Sequence, residues 1–451
     1  MMADTTKGSA ARSAALYRMI WRWHFYAGLF CIPFVLWLAV TGSIYLFKPQ
    51  IEALIDRPYD HLTITDRQLP SAQVRAAMTA LPEASLQSVE LPATETGATR
   101  VILNDRGVAT RVYVHPDTLA ILKIVPEDDR LMNIVFNLHG ELLMGNTGSI
   151  IIELAASWAI VMIVTGLYLW WPRNAAGLGG IVYPRLGGQG RLFWRDLHAV
   201  IGLWVSFFTL FILLSGLPWA KSWGAYLQEI RQITGTAVAK QDWPSGSPAA
   251  PPGTMQGMAG MPGMSMGGQY RPRIDGEALD RVVDTAIPLQ LARPVLVSPP
   301  QSAGGDWSVK SDAQNRTLRS DVTVDGATGK VLTRVDFGQR QWVDRVVGVG
   351  VAAHEGHLFG WLNQLISLLT ATGLIAVSIS AGVMWWRRRS PRTLGAPQRI
   401  PNAAVSAGVM GIIILFAALL PLLAASLIAV LICERAVIPR FPAMRRWLGL
   451  G

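Results

Sequence analysis

"WRWHFYAGLF", residues 21–30, brings a histidine to the start of a long apolar run, and "WRDLHAVIGL", residues 194–203, does the same. In both, a histidine follows a Trp-Arg pair and precedes a glycine by four positions. The correspondence runs further. His24, Gly28 and Gly42 recur 174 residues later as His198, Gly202 and Gly216, with Thr41-Gly42 matched by Ser215-Gly216. A second set recurs 215 residues later: His139, Gly145 and Trp170-Trp171 as His354, Gly360 and Trp385-Trp386. Self-similarity at a fixed offset marks a duplicated unit, and it identifies which histidines are equivalent.

The segments between these sets also match. "VYVHPDTLAILK" (112–123) pairs with "VTVDGATGKVLT" (322–333), and each reads as strand, turn, strand. Each lies downstream of a helical pattern, "SAQVRAAMTAL" (71–81) or "DGEALDRVVDTAI" (275–287). The unit is therefore span, α+β module, span, and it occurs twice.

Of the 451 residues, 51% are hydrophobic and 16% charged, against about 25% charged in soluble domains. Uncharged runs at 25–47, 154–171, 199–220, 358–386 and about 400–433 meet the roughly 20 residues a bilayer crossing needs. The first is too long for a cleaved signal peptide. The chain reads as a multi-pass membrane protein in contact with lipid.

The net charge of +10 is not a nucleic-acid footprint, because the cations cluster beside spans. Lys7, Arg12, Arg18 and Arg22 precede span 1, Arg173, Arg185, Arg191 and Arg195 lie between spans 2 and 3, and "RRRSPRTLGAPQR" follows span 4. The segments 48–133 and 221–345 mix both signs. The positive-inside rule places the short basic loops in the cytoplasm and the long segments outside, which in a bacterial inner membrane is the periplasm.

The expected fold is a membrane α-helical bundle of four core spans, as two repeats, plus a C-terminal span, with two periplasmic α+β modules. The expected segments are a cytoplasmic tail 1–20, span 1 at 21–48, module 1 at 49–133, and span 2 with its juxtamembrane histidine segment at 134–172. A cytoplasmic loop 173–196, span 3 at 197–220 and module 2 at 221–345 follow. Span 4 at 346–387, a cytoplasmic loop 388–400, a C-terminal membrane segment 401–434 and a tail 435–451 complete the chain. The last run contains Pro421 and reads as one kinked helix, since "LLPLLAA" lacks turn residues to satisfy backbone groups in lipid. Cys31 and Cys433 sit inside apolar runs and offer no disulfide framework.

Seven histidines are present. His61 and His115 have no repeat partner and read as surface or turn residues. His24 and His198 lie at the inner ends of spans 1 and 3, His139 and His354 at the outer ends of spans 2 and 4. Neutral imidazole is a common metal ligand, and two helices facing each other can supply one axial imidazole to each side of a haem. The repeat thus offers two haem sites, His24 with His198 and His139 with His354. Gly42 lies five helical turns from His24, on the same face, with Gly28 about 40° away; Gly202 and Gly216 repeat this beside His198. Glycines on the ligand face let a porphyrin lie along the helix, and Arg22 and Arg195, with Arg18 and Arg191, are cations for its propionates. The bland alternatives are interfacial anchoring of the helix and close packing through small residues. His357, one turn past His354, is read as a spare ligand or a substrate-side proton donor; its repeat counterpart is Leu142. "HEGH" has the wrong spacing for a zinc protease.

Residues 253–268, "GTMQGMAGMPGMSMGG", place Met255, Met258, Met261 and Met264 three residues apart. Thioethers are soft ligands that favour Cu(I); the alternative is a low-complexity insertion.

The chain resembles the PepSY-associated transmembrane family, close to inner-membrane ferric-siderophore reductases, over roughly residues 17–390. The resemblance is carried by "WRWHFYAGLF" with "TGSIYLF", "LHGELLMGNTG" with "TGLYLWWP", "FWRDLHAVIGLW" with "SGLPW", and "HEGHLFG" with "SAGVMWWRRR". It implies PepSY-like modules, two b-type haems in a helical bundle, and reduction of a periplasmic ferric siderophore or other iron chelate by a haem-dependent oxidoreductase. His24 and His198 would then hold one haem, His139 and His354 the other. No dinucleotide or flavin signature is visible, so a quinol or a separate flavoprotein is expected as electron donor. Two alternatives stand beside this one: a copper-handling membrane reductase, and a non-enzymatic membrane protein that binds a peptide or protease through its PepSY-like modules.

Overall fold

Among the described residues, five helices are long and apolar enough to cross a membrane: Ser13–Tyr45, Gly145–Trp170, Arg191–Trp219, Trp361–Arg388 and Pro421–Arg440. Such runs are helical because hydrocarbon leaves the backbone no partner but itself. The structure, a computed structural model, describes residues 2–172, 177–185, 187, 190–237, 274–302, 304–397 and 405–450. The methionine run 253–268 lies outside the described residues.

In chain order, α1 (Met2–Tyr45) is followed by α2 (Lys48–Asp60), α3 (Pro70–Ala80), the strands β1 (Ser85–Glu90), β2 (Thr99–Asp105), β3 (Val108–Val114) and β4 (Ile121–Pro126), then α4 (Leu131–Glu141) and α5 (Gly145–Trp170). The same order returns as α6 (Arg191–Gly216), α7 (Lys221–Ile233), α8 (Gly276–Ala286), β5 (Val295–Ser298), β6 (Trp307–Ser311), β7 (Ser320–Val324), β8 (Val331–Asp336), α9 (Trp342–His354) and α10 (Trp361–Arg388). The chain ends with α11 (Ala407–Leu419), α12 (Pro421–Ile432) and α13 (Pro442–Trp447). It divides into a helical unit, Met1–Ile44 with Leu138–Gly235 and Leu365–Gly451, and a sheet unit, Tyr45–Asn137 with Thr236–Gln364.

The sheet unit differs from the two modules expected. Its eight strands form one antiparallel sheet in the order β4-β3-β2-β1-β5-β6-β7-β8. The halves join where β1 meets β5, with Val89 opposite Val297 and Glu90 opposite Leu296. Alternate residues, among them Val101, Leu103, Val112, Val297, Val309 and Val322, are fully buried with Val74 and Ala77 of α3 and Leu279 and Val282 of α8. This is the period-2 pattern of a sheet with one face on its core. In addition, α3 and α8 are tied by Ser71, whose N–H and hydroxyl donate to the Asp280 carboxylate at 2.8 and 2.6 Å. Between them, β2 and β3 carry the buried charges of Arg100 and Arg111. Arg100 pairs with Asp60 at 2.8 Å, Arg111 with Glu90 and Glu127 at 2.6 Å each, and Tyr113 donates to Asp56.

Span 4 begins later than the 346 expected, and the histidine segment ahead of span 2 is a separate helix. The segment 134–172 is broken after α4, where Leu142 and Leu143 take positive φ (52° and 56°), and 346–387 is broken after α9, with positive φ at Gly356 and Gly360. His139 and His354 therefore ride on short helices ahead of α5 and α10. The first break is tight: a Cβ on Gly148 would lie 1.6 Å from the Glu141 carbonyl oxygen, so only glycine fits.

The C-terminal run is a helical hairpin rather than one kinked helix. Leu420 leaves helical geometry (φ −128°, ψ 85°) just before Pro421. Arg22 donates through one nitrogen to the carbonyls of both Pro397 and Gly449, and the Leu394 N–H donates to Trp447 O at 2.9 Å. The run thus leaves and returns at the same end of the helical unit. The carbonyls freed at the turn find side-chain donors: Trp223 Nε1 reaches Leu419 O at 3.0 Å and Tyr226 Oη reaches Ala418 O at 3.3 Å. A distant helix satisfies the turn, so the turn needs no polar residue of its own. That helix, α7, is held in turn by α5, because the Lys221 N–H donates to Ser149 Oγ and the Ser222 and Trp223 N–H groups donate to the Glu153 carboxylate. This use of Glu153 satisfies a charge inside a span by capping a helix N-terminus.

Candidate functional site: a bis-histidine pair in the helical unit

The residues around His24 come from two antiparallel helices. On α1, Gly28 faces α5 closely enough that a Cβ would lie 3.8 Å from Met162 Sδ. One turn away, the His24 ring lies against Gly166, where a Cβ would stand 3.1 Å from Cε1. His24 Nδ1 is 3.1 Å from the Met162 carbonyl and 3.1 Å from Thr165 Oγ1. Thr165 Oγ1 itself donates to Val161 O at 2.8 Å.

The second repeat builds the same arrangement. His198 Nδ1 is 3.1 Å from the Val377 carbonyl and 3.4 Å from Ser380 Oγ, which donates to Val377 O at 2.8 Å. Met162 and Val377, and Thr165 and Ser380, stand 215 residues apart, the offset that also relates His139 to His354. Close packing recurs at Gly373 of α10, whose Cβ would lie 2.5 Å from Val205 Cγ1 of α6, while a Cβ on Gly202 would meet nothing within 4 Å.

The structure brings His24 and His198 together. Their ring centroids are 6.3 Å apart and their planes cross at 80°. A carbonyl oxygen only accepts, so each Nδ1 carries the proton and each Nε2 keeps its lone pair. Metal-binding histidines are held in this way, the second ring nitrogen donating to a carbonyl. Two imidazoles on opposite sides of one metal, with bonds of about 2 Å, place their centroids about 6 Å apart. The spacing of the pair would therefore suit one metal centre taking an imidazole from each side. Among the described residues, no cluster of three or more His, Cys, Asp or Glu side chains suits a metal ion, so a group with its own equatorial ligands suits the pair better than a bare ion.

The family model for the PepSY-associated TM region matches residues 21–388. The chain belongs to this family. No curated protein matches it. The PepSY-associated match begins three residues before His24 and ends at the last residue of α10, so the hairpin α11–α12 and the tail lie beyond it. Together with the five apolar helices, membership makes the chain a multi-pass membrane protein.

The remaining residues singled out from sequence have these places. His139, on α4, packs on α1: its Nδ1 is 2.9 Å from Thr41 Oγ1, which donates to Trp37 O at 2.8 Å, and a Cβ on Gly42 would stand 3.1 Å from its Cε1. His354 is the last residue of α9, in the sheet unit, and Gly216 closes α6. Arg22 is buried, and besides Pro397 and Gly449 it donates to the Tyr26 hydroxyl at 3.3 Å. Arg195 pairs with the fully buried Asp196 at 2.7 Å, as Arg185 does at 2.6 Å. Arg22 and Arg195, two of the four arginines expected near propionates, thus have partners within the protein. His357 lies in the break between α9 and α10. Its Nε2 is buried with no hydrogen-bond partner, and burial, with Lys48 nearby, lowers its pKa to about 4. Met255, Met258, Met261 and Met264 fall outside the described residues.

Sequence reading missed Thr165 and Ser380. They were visible as matched hydroxyl residues, each four positions after its matched carbonyl residue's predecessor in aligned spans, but nothing local shows that they turn toward a histidine on another helix.

Proposed function

We propose that this membrane protein carries electrons across the bacterial inner membrane through two b-type haems and reduces a ferric siderophore or similar iron chelate on the periplasmic side. The observation that carries this reading is the His24–His198 pair: two imidazoles in one apolar helical unit, each anchored at Nδ1 on a carbonyl and spaced for one iron between them. The second site, His139 with His354, is proposed from the 215-residue correspondence of these histidines. Haem, when bound, supplies one-electron chemistry in a setting that excludes water. His24 and His198 provide Nε2, and the carbonyls of Met162 and Val377 keep those nitrogens deprotonated and aimed. Gly28, Gly166 and Gly202 keep the ligand faces free of side chains.

Orientation follows from charge. Arg387, Arg388, Arg389, Arg445 and Arg446 gather at the end where Arg22 meets Pro397 and Gly449, and arginine-rich ends face the cytoplasm. An electron entering there comes from a quinol or a flavoprotein. One electron converts Fe(III) of the chelate to Fe(II), for which hard oxygen ligands have less affinity.

Sealed vesicles of known orientation test the reading. With reduced protein, a ferric chelate added outside is expected to reoxidise it in right-side-out vesicles and not in inside-out ones. Equal reoxidation in both contradicts the sidedness, and reoxidation by Cu(II) alone would transfer the activity to copper.

A further inference from the structure

We infer that Thr165 and Ser380 are positioning residues that fix the crossed ring planes of His24 and His198. The inference rests on the haem reading above. An imidazole held only through Nε2 can turn about its bond to the metal, because the terminal torsion of histidine is broad. One carbonyl at Nδ1 narrows that motion. A second acceptor beside it forms a three-centre cradle that sets the ring plane.

Both hydroxyls are oriented for this part. Thr165 Oγ1 donates its proton to helix carbonyls, Val161 O at 2.8 Å and Met162 O at 3.1 Å, and Ser380 Oγ donates its own to Val377 O at 2.8 Å. Each oxygen therefore turns a lone pair toward the neighbouring Nδ1–H, at 3.1 Å for His24 and 3.4 Å for His198. The carbonyl and the hydroxyl are three residues apart on one helix in both repeats, 162 with 165 and 377 with 380, which places them on the same face. Each repeat orients its own ring, through its own second span. The two rings meet at 80° because two separate helix pairs present them.

Crossed and parallel axial rings have different electronic consequences. Each ring's π system interacts with one of two iron d orbitals. Crossed rings treat the two alike and leave them close in energy, whereas parallel rings split them. A ferric low-spin haem between crossed rings gives a widely spread electron paramagnetic resonance signal with a large highest g value.

The test uses the full-length haem-loaded protein, with the signal of the His24–His198 site assigned by its loss in His24→Ala. Wild type is expected to show the widely spread signal. Thr165→Val, of similar shape without a hydroxyl, is expected to move the highest g value downward at unchanged haem content, and Thr165→Ser to restore it. Ser380→Ala, which removes the longer contact, is expected to move it less, and it tests the idea on the other ring should Thr165→Val fail to fold. An unmoved signal in both hydroxyl-deleting variants at full haem content overturns the inference alone. A chain that takes up no haem overturns the reading beneath it, and the inference falls with it.

Discussion

Gly166 and His24 lie so close that a Cβ on the glycine would stand 3.1 Å from the imidazole Cε1. The matching position of the second repeat is Ala381, beside Ser380. One methyl group is thus tolerated where a helix carries a histidine-anchoring hydroxyl. Gly166→Ala is expected to keep the His24–His198 haem. Gly166→Val is expected to lose it through overpacking of about 1–3 kcal/mol, because its branched side chain asks more of the ring than the small shift a single methyl needs. Haem content per chain reads the difference, and full occupancy in the valine variant would contradict the geometry.

The hairpin makes a topological prediction. Arg22 bonds to carbonyls on both sides of the run 401–434, so Arg387 and Arg446 belong to one side of the membrane. In a background with Cys31→Ser and Cys433→Ser, single cysteines placed there by Arg387→Cys and Arg446→Cys are expected to react with an impermeant maleimide from the same side. Labelling from opposite sides would restore the single kinked helix.

The turn of that hairpin depends on α7. Trp223→Phe and Tyr226→Phe each leave a turn carbonyl without its donor, which costs about 1–3 kcal/mol where lipid rather than water faces the carbonyl. Thermal unfolding in detergent should show a lower midpoint for each, and a larger drop for the pair. An unchanged midpoint in the double variant would mean that water or lipid headgroups satisfy those carbonyls.

Acid is expected to weaken the sheet unit through Glu127. Burial pushes this carboxyl up, but Arg111 at 2.6 Å and Arg130 at 3.2 Å outweigh burial and hold it below its ordinary value of 4.5. A depressed folded-state value stabilises the fold above the unfolded-state value, and that stabilisation is lost as pH falls through the folded one. Hydrogen exchange of β3 amides, corrected for intrinsic rate, should therefore quicken below pH 4.5, with a shallower dependence in Glu127→Gln. Arg111→Ala, which leaves Glu127 with Arg130 and Glu90 with Arg100 as their remaining cations, should destabilise the fold at neutral pH by less than the roughly 3–5 kcal/mol of a fully unpaired buried charge.

Much of this was legible because it is periodic or repeated. Apolar runs revealed the spans, alternation over 112–123 and 322–333 revealed two strand pairs, and equal spacing singled out His24 and His198. What escaped depends on contacts between distant segments. The pairing of Val89 with Val297 fuses two modules into one sheet, yet each strand alone reads as an ordinary alternating segment. "LLPLLAA" looked unable to turn because its donors, Trp223 and Tyr226, come from nearly 200 residues earlier. The partners of Arg22 were invisible because they are backbone carbonyls, which have no signature in sequence. The breaks after α4 and α9 rest on positive φ at Leu142, Leu143, Gly356 and Gly360, and a leucine announces no such conformation.

The central claim is that His24 and His198 share one haem, and haem stoichiometry with difference spectra tests it most directly. Protein purified from haem-replete cells is expected to carry two haems per chain, with the reduced-minus-oxidised bands of low-spin b-type centres. His24→Ala and His198→Ala, separately, are each expected to leave one haem with the other centre's bands intact. A pigment-free wild-type protein, or the same haem content in both variants as in wild type, would contradict it.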